Sequence, residues 1–161
     1  MSEPKSKSKI SSSTSELITQ LKSTPRLSWD EYFIAAAFQI ANRSPSKKLR
    51  VGAIITHNNR IIAAGYNGYF SGSKTDKSVH RDGHEMNTIH AEQNAITDAA
   101  KRGVVTQGTT MYVTHFPCIN CTKFIIAAGI KSIKYYDDYR NDELVPMFLE
   151  DADVTIEHLC P

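Results

Sequence analysis

Hydrophobic side chains recur at helical spacing directly after a capping sequence that begins at Ser28. Ser28 and Glu31 fit the Ser-x-x-Glu capping box, in which each side chain accepts a hydrogen bond from the backbone N–H of the other residue. The apolar positions that follow are spaced as on one face of a helix; they are Tyr32, Phe33, Ala36, Ala37 and Ile40. Because a residue before proline avoids the helical conformation, Ser44-Pro45 ends the pattern. The sequence therefore predicts a helix between residues 28 and 44.

Over the rest of the chain, the pattern predicts strands that alternate with helices. Apolar runs bounded by turn residues predict five strands, at 51–56, 60–66, 109–115, 133–136 and 154–157. Helical periodicity predicts three more helices, at 90–102, 118–128 and 143–150. The turn signal Asn58-Asn59 predicts a hairpin between the first two strands, and the long connection at 67–87 suggests a functional loop. This order predicts an α/β fold with three α-β-α layers and a mixed five-stranded sheet.

The first 15 residues have a composition unlike that of the rest of the chain. They include seven Ser and three Lys and almost no apolar side chains. Such a segment buries too little apolar surface to offset its ordering entropy. We therefore expect a flexible Ser/Lys-rich tail at 1–26 and one folded domain at 27–161. No secretory signal follows Met1 and no apolar run is long enough to span a bilayer, so we expect a cytoplasmic protein with no membrane partner.

The charge distribution argues against a nucleic-acid partner. The 161 residues carry 19 Lys and Arg against 17 Asp and Glu, a net charge of +2. Residues 1–27 hold five basic and two acidic side chains, which leaves residues 28–161 with a net charge of −1. A nucleic-acid binder usually has a basic body, because neutralised phosphates supply most of its affinity. A small ligand with a single phosphate remains compatible with this body.

The cysteines suggest metal or redox chemistry. Cys118 and Cys121 are three residues apart, and Cys160 is the only other cysteine, so a secreted disulfide framework is not expected. At a helix start, Cys118 and Cys121 share one face of the first turn, where the helix dipole favours thiolates. His90, at a second predicted helix start, could add an imidazole and complete three ligands of a zinc site with an open fourth position. A structural zinc half-site and a redox pair remain alternatives for the two cysteines alone.

Glu92 follows His90 at a spacing that is informative. Two residues correspond to about 200° around a regular helix, so the two side chains can converge only at the first turn. A carboxylate placed beside a zinc site, but not bound to the metal, could accept and return a proton. Taken together, His-x-Glu followed by Pro-Cys-x-x-Cys is the signature of zinc deaminases.

With these motifs the sequence resembles the deoxycytidylate deaminases of the cytidine deaminase superfamily. The resemblance covers about residues 28–157 and rests on further segments besides the zinc motifs. These are residues 29–33 (Trp-Asp-Glu-Tyr-Phe), 43–44, 51–53, 65–68 (Gly-Tyr-Asn-Gly), 90–96, 111–114 and 128–131. It implies a cytidine-deaminase-like fold and hydrolysis of dCMP to dUMP and ammonia, which would supply dUMP for thymidylate synthesis. It also makes 27–161 a catalytic domain.

The resemblance assigns roles to individual residues. His90, Cys118 and Cys121 would bind one zinc ion per chain, and Glu92 would be the catalytic proton shuttle. Among substrate contacts, Asn67 would reach the sugar, and Tyr139 and Ala91 would lie against the nucleotide. The resemblance also implies a homo-oligomer, from dimer to hexamer, and possible regulation by dCTP and dTTP with Mg²⁺.

Basic side chains near the end of the first predicted helix are candidates for binding the 5′-phosphate. They are Arg43 and the nearby Lys47, Lys48 and Arg50. His80 and His84 have the spacing of a metal pair. However, the segments in which some relatives carry Cys ligands for a second zinc contain no Cys here, so we expect solvated histidines.

Three other functions remain open. The chain could deaminate another cytosine nucleotide such as dCTP, a free nucleoside, or a nucleic acid, although the body charge argues against the last. It could be a non-catalytic nucleotide-binding regulator on the same fold, which the presence of Glu92 argues against. Thiol–disulfide exchange by Cys118 and Cys121 lacks the sequence context of a redox fold.

Overall fold

The computed structural model describes residues 10–74, 78–82 and 84–160, which form five helices and nine strands. The helices are α1 (Ser12–Ser23), α2 (Trp29–Ala41), α3 (Ala91–Lys101), α4 (Ile119–Ala127) and α5 (Leu144–Asp151). The five longer strands are β1 (Gly52–His57), β2 (Arg60–Tyr66), β7 (Thr110–His115), β8 (Ser132–Asp137) and β9 (Thr155–His158). Four two-residue strands lie between β2 and α3: β3 (Gly68–Tyr69), β4 (His80–Arg81), β5 (His84–Glu85) and β6 (Thr88–Ile89).

The longer strands form one mixed sheet in the order β2-β1-β7-β8-β9. β1 pairs antiparallel with both β2 and β7, whereas β7, β8 and β9 run parallel. Parallel neighbours need a crossover, and here α4 and α5 provide it. The prediction of a mixed five-stranded sheet is therefore confirmed.

Successive side chains of a strand point to opposite faces of the sheet. Apolar side chains therefore lie on both faces, and helices cover each of them. On one face, Phe33 of α2 packs with Ile54 and Tyr112. On the other face, α3, α4 and α5 bury a larger cluster that includes Ile55 and Ile133. The predicted three-layer α-β-α arrangement is confirmed, and the Ser28–Glu31 capping box of α2 is formed as expected.

Two glycines let helices approach the sheet closely. A Cβ at Gly52 would lie 2.7 Å from the backbone nitrogen of Ala41 in α2. A Cβ at Gly65 would overlap the backbone of Ala91 and Ala95 in α3. Since α3 begins at Ala91, Gly65 fixes how closely the start of α3 sits on β2.

We expect Gly65→Ala to destabilise the protein by about 1–3 kcal/mol, because the added methyl overlaps the backbone of α3 and cannot be relieved by a rotamer change. Urea unfolding followed by circular dichroism measures this difference in free energy. Gly108→Ala is the matched control. Its methyl meets nothing within 4 Å, so only the strain of φ +74° remains, about 1 kcal/mol. An equal or larger loss in Gly108→Ala would contradict the packing argument.

The helix α1 lies where no regular structure was expected. Ser11 caps it by accepting a hydrogen bond from the backbone N–H of Thr14, and Leu17, Ile18 and Leu21 follow at helical spacing. No residue of α1 is buried, so the local cap and side chains account for it rather than packing. The argument from composition missed this helix because it weighed the Ser-rich start and not the apolar residues after it. Residues 1–9 of the expected tail lie outside the described residues, and the domain boundary at 26/27 stays a prediction.

The predicted loop at 67–87 contains short paired strands. β3 pairs with β6, and β4 pairs with β5 so that His80 lies opposite Glu85. These pairs fold the connection back beside the start of α3. Within the described part of the chain, no helix is both long and apolar enough to cross a membrane.

Candidate active site

Three potential metal ligands meet where α3 and α4 begin. His90 is the N-cap residue of α3 and Cys118 is the N-cap residue of α4, while Cys121 lies buried in the first turn of α4. His90 Nδ1 is 3.6 Å from Cys118 Sγ and 3.4 Å from Cys121 Sγ. All three ligand atoms lie within 4.8 Å of one another.

These spacings match a tetrahedral zinc site. Zn–S distances of about 2.3 Å and Zn–N distances of about 2.0 Å at tetrahedral angles place nitrogen and sulfur about 3.5 Å apart. Two thiolates and one imidazole are ligands that zinc prefers, and a set of three leaves one position for a reactant. The residues present therefore fit a catalytic zinc ion, which agrees with the donor set predicted from the sequence.

The protein environment prepares Cys118 as a thiolate. A hydrogen bond with the Cys121 side chain, helped by those from His90 and the Cys121 backbone, lowers the pKa of the Cys118 thiol to about 4. The same contact with Cys118, together with burial, raises the pKa of Cys121. A bound cation would favour the thiolate form of both cysteines.

Glu92 is buried beside these ligands, in the first turn of α3. Glu92 is 4% exposed, and burial raises the pKa of its carboxyl above the usual range. Because His90 is in an extended conformation just before the helix (φ −68°, ψ 156°), both side chains can face the same cavity. The structure thus brings Glu92 to the place that its spacing from His90 predicts. A carboxyl whose pKa is raised by burial takes up a proton more readily than an exposed one and can pass it to a neighbouring group.

A cavity of about 320 Å³ opens over this cluster. It is lined by most of the residues that sequence analysis proposed for the site: Asn67, His90, Ala91, Glu92, Cys118 and Tyr139. Its size is at the lower end for small-molecule sites. A larger cavity of about 670 Å³ lies near Trp29 and Tyr32, and none of the proposed site residues lines it.

Arg43 neither lines this cavity nor belongs to the metal cluster, and the same holds for the phosphate candidates Lys47 and Arg50. Arg43 is exposed just beyond the end of α2, whereas Lys48 lines the cavity. The chain turns between them at Ser44, whose hydroxyl donates to the backbone oxygen of Asn67. Arg43 therefore stays a prediction as a phosphate ligand, and Lys48 is the better-placed side chain.

Asn67 holds the wall of the cavity through its side-chain amide. Its Oδ1 accepts from the backbone N–H of Val51 at 2.8 Å, and its Nδ2 donates to the backbone oxygen of Leu49 at 2.9 Å. These bonds fix the segment before β1, which contributes Leu49 and Val51 to the lining. In this structure Asn67 positions the wall, and its predicted contact with a sugar would add to that role.

Tyr139 is held by neighbours that sequence analysis did not single out. Its ring lies edge-on to His115 at 6.2 Å between centroids, and the Arg140 guanidinium lies 5.5 Å from the ring centroid. His115 also lines the cavity; burial lowers its pKa, and the Thr114 hydroxyl lies 2.8 Å from its Nδ1. The signal that could have indicated His115 is its place at the end of a strand, three residues before Cys118.

The loop before α3 also contributes side chains that the sequence did not identify as part of the site. His80, Glu85 and Thr88 line the cavity, and Glu85 is half-buried there. His80 was expected to be solvated and is exposed, although it lies at the cavity; the side chain of His84 is outside the described residues. No sequence pattern marked Glu85, because its place depends on the pairing of β4 with β5.

Comparisons with known proteins agree with this site. Residues 27–137 match the family profile described as the cytidine and deoxycytidylate deaminase zinc-binding region. The chain is 44% identical over 137 residues to ComE operon protein 2 of Bacillus subtilis, covering 83% of this chain and 72% of that protein. It is 40% identical over 124 residues to human deoxycytidylate deaminase, covering 72% of this chain and 68% of that protein.

A solved structure shares both the fold and part of the sequence. The crystal structure of dCMP deaminase from the cyanophage S-TIM5, in complex with dCMP and dUMP, has a TM-score of 0.75 and is 32% identical. The match covers 84% of this chain and 100% of that chain. With 111 residues matched by the profile, the chain belongs to the cytidine and deoxycytidylate deaminase family.

Proposed function

We propose that this protein is a zinc-dependent enzyme that hydrolyses dCMP to dUMP and ammonia. The observation that carries the proposal is the meeting of His90, Cys118, Cys121 and the buried Glu92 at one cavity. Deoxycytidylate deaminases among the relatives, and a related enzyme solved with dCMP and dUMP, support this choice of substrate. The product dUMP would feed thymidylate synthesis.

His90, Cys118 and Cys121 would hold the zinc ion. When bound, zinc supplies an activated water, because it lowers the pKa of the water that it holds towards neutrality. The chain's own contribution to proton transfer would come from Glu92. Its carboxylate accepts a proton from the attacking water and returns it to N3 of cytosine, while the water oxygen bonds to C4. The new C4 hydroxyl then gives up the second water proton, one proton is transferred to the exocyclic nitrogen, and the C4–N4 bond breaks, so that ammonia leaves as the C4 carbonyl of dUMP forms.

Burial suits Glu92 to this role. A carboxylate with an ordinary pKa is a weak base at neutral pH, so it takes up a proton from water less readily. The raised pKa of Glu92 brings its proton affinity closer to that of the groups it serves. Ala91 and Tyr139 would flank the nucleotide, and Asn67 would keep the wall of the cavity in place for the sugar.

The proposed function is tested by ammonia release from the zinc-loaded protein. The substrates are dCMP, CMP, dCTP, deoxycytidine and a cytosine-containing single strand. We expect selective turnover of dCMP. Turnover of dCTP alone or of the single strand alone would contradict the assignment of dCMP as the substrate. It would still support deamination as the reaction. Nucleotide binding with no ammonia from any substrate would instead favour a regulatory protein.

Lys48→Ala is expected to raise the KM for dCMP about tenfold, the effect of removing one exposed hydrogen bond to a charged group. Lys48 lines the cavity and would face the 5′-phosphate. Steady-state kinetics with dCMP and deoxycytidine measure the effect, and deoxycytidine should be insensitive because it has no phosphate. Arg43→Ala is the matched control, since Arg43 is exposed and does not line the cavity. A larger effect in Arg43→Ala would instead identify Arg43 as the side chain that binds the 5′-phosphate.

The family resemblance supports three further proposals about the whole protein. These are assembly into a homo-oligomer between dimer and hexamer, regulation by dCTP and dTTP with Mg²⁺, and a cytoplasmic location. Sedimentation of the purified chain gives the assembly, and dCMP kinetics with and without each effector give the regulation.

A further inference from the structure

His115, the last residue of β7, lines the cavity and is bonded to the residue before it. Its Nδ1 lies 2.8 Å from the hydroxyl oxygen of Thr114, and that oxygen accepts a hydrogen bond from the backbone N–H of Gly52 at 3.2 Å. Thr114 is fully buried, so its hydroxyl hydrogen needs an acceptor within the protein. Of the described residues, His115 offers that acceptor through Nδ1. The Thr114 hydroxyl therefore donates to His115.

This contact determines which nitrogen of the imidazole carries the proton. A ring that accepts a hydrogen bond at Nδ1 has its own hydrogen on Nε2. Burial lowers the pKa of His115, which favours the neutral ring. Nε2 lies 3.7 Å from Oδ2 of Asp137, and a hydrogen on Nε2 suits this neighbour because the carboxylate would repel a lone pair. The two neighbours therefore favour one orientation of the ring.

Tyr139 depends on such a fixed neighbour, because it lies on an irregular segment two residues after β8. Its backbone N–H donates to Oδ1 of Asn141 at 3.1 Å, which holds the backbone but not the ring. The ring itself is 38% exposed and lies edge-on to His115, with 6.2 Å between centroids and 87° between planes. The Arg140 guanidinium also lies near the ring, at 5.5 Å, but Arg140 is exposed. Of these two neighbours, His115 is the one that is held in place.

We propose that His115 is a positioning residue, which holds the ring of Tyr139 at the wall of the cavity so that it can lie against the bound nucleotide. The contact between Tyr139 and the nucleotide rests on the proposed function. A ring that is already in place loses less side-chain freedom when a ligand binds, so the affinity for the ligand is higher. His115 acts through Tyr139 in this role and need not touch the substrate.

The positioning role predicts a characteristic change in the kinetics. A ring that lies against the nucleotide contacts it before and during the reaction alike, so loosening the ring raises KM and leaves kcat unchanged. We expect His115→Ala to raise the KM for dCMP about 3- to 10-fold, the range of one aromatic pair. His57→Ala removes an exposed histidine that does not line the cavity, and it should change neither constant. Loss of zinc from His115→Ala, or a fall in kcat equal to that in kcat/KM, would overturn the inference.

A double-mutant cycle shows whether His115 acts through Tyr139. If it does, His115→Ala should change KM by less than about twofold in a protein that already carries Tyr139→Ala. His115→Phe keeps an aromatic edge beside Tyr139 but offers Thr114 no acceptor, so it should recover part of the lost affinity. The inference would be wrong if His115→Ala had the same effect with and without Tyr139, or if His115→Phe were no better than His115→Ala.

Two readouts do not depend on turnover. Nitrogen–hydrogen correlation spectra of the histidine rings in the zinc-loaded protein should show His115 with its hydrogen on Nε2, and His115→Phe identifies the signal by its absence. A hydrogen on Nδ1 would contradict the donation from Thr114 and overturn the inference. Calorimetric titration with dUMP should show the same loss of affinity in His115→Ala as the KM does, and an unchanged affinity would also overturn it. Absence of dCMP turnover in the unaltered protein would overturn the proposed function, whereas these two readouts would still test the placing of Tyr139.

Discussion

Glu92→Gln is expected to bind zinc and dCMP but to release ammonia at least about 1,000-fold more slowly than the unaltered protein, within the range of losses when a general acid–base group is removed. Glutamine has nearly the same shape as glutamate and fills the same buried site. It cannot accept a proton from water or deliver one to N3. Since Glu92 is not one of the three clustered residues that could bind the metal, the variant should still bind zinc.

Three measurements on Glu92→Gln separate a chemical role from a structural one. Ammonia release gives the turnover, elemental analysis gives the zinc content, and calorimetry gives the affinity for dCMP. Glu143→Gln, which changes an exposed acid before α5, controls for the loss of a negative charge. If Glu92→Gln kept more than a tenth of normal turnover with zinc bound, Glu92 would not be the proton shuttle. Loss of zinc along with turnover would instead point to a role in holding the metal.

The metal cluster could be predicted because local sequence determines most of its geometry. Cys118 and Cys121 are brought together by one helical turn, and each of the two helices starts directly after a potential ligand. What the sequence could not give is the approach of α3 to α4 that places His90 Nδ1 3.4 Å from Cys121 Sγ. That approach depends on both helices packing on the same face of the sheet, which alternating elements imply only in outline.

Residues on irregular segments were harder to assign, for a physical reason. Glu85 reaches the cavity through a two-residue strand pairing, and pairs this short leave no periodic pattern in the sequence. Lys48 and Arg43 carry the same charge five positions apart, and the turn at Ser44 determines which of them faces the cavity. Tertiary hydrogen bonds, such as that from Ser44 to the backbone of Asn67, set these directions. A single sequence does not reveal them.

Cys121→Ala is expected to bring zinc from one ion per chain to nearly none and to abolish deamination. Cys121 is fully buried in the first turn of α4, and its sulfur would complete the proposed set of three ligands with His90 and Cys118. Loss of a ligand next to the metal should exceed the roughly 10- to 100-fold fall in affinity seen for partners one shell further out. Elemental analysis of the purified variant and ammonia release from dCMP measure the two losses.

The same substitution should change how the protein responds to a chelator. Zinc held between the starts of α3 and α4 would stabilise only the folded chain, by about 2.7 kcal/mol at a free concentration 100 times its Kd. A chelator should therefore lower the melting temperature of the unaltered protein. The chelator should not change the melting temperature of Cys121→Ala, which is already low without bound zinc. Cys160→Ala, which alters an exposed cysteine outside the cluster, should keep both the metal and the response to chelator. Full zinc content in Cys121→Ala would show that the ion is held elsewhere, and the assignment of the three ligands would then be wrong.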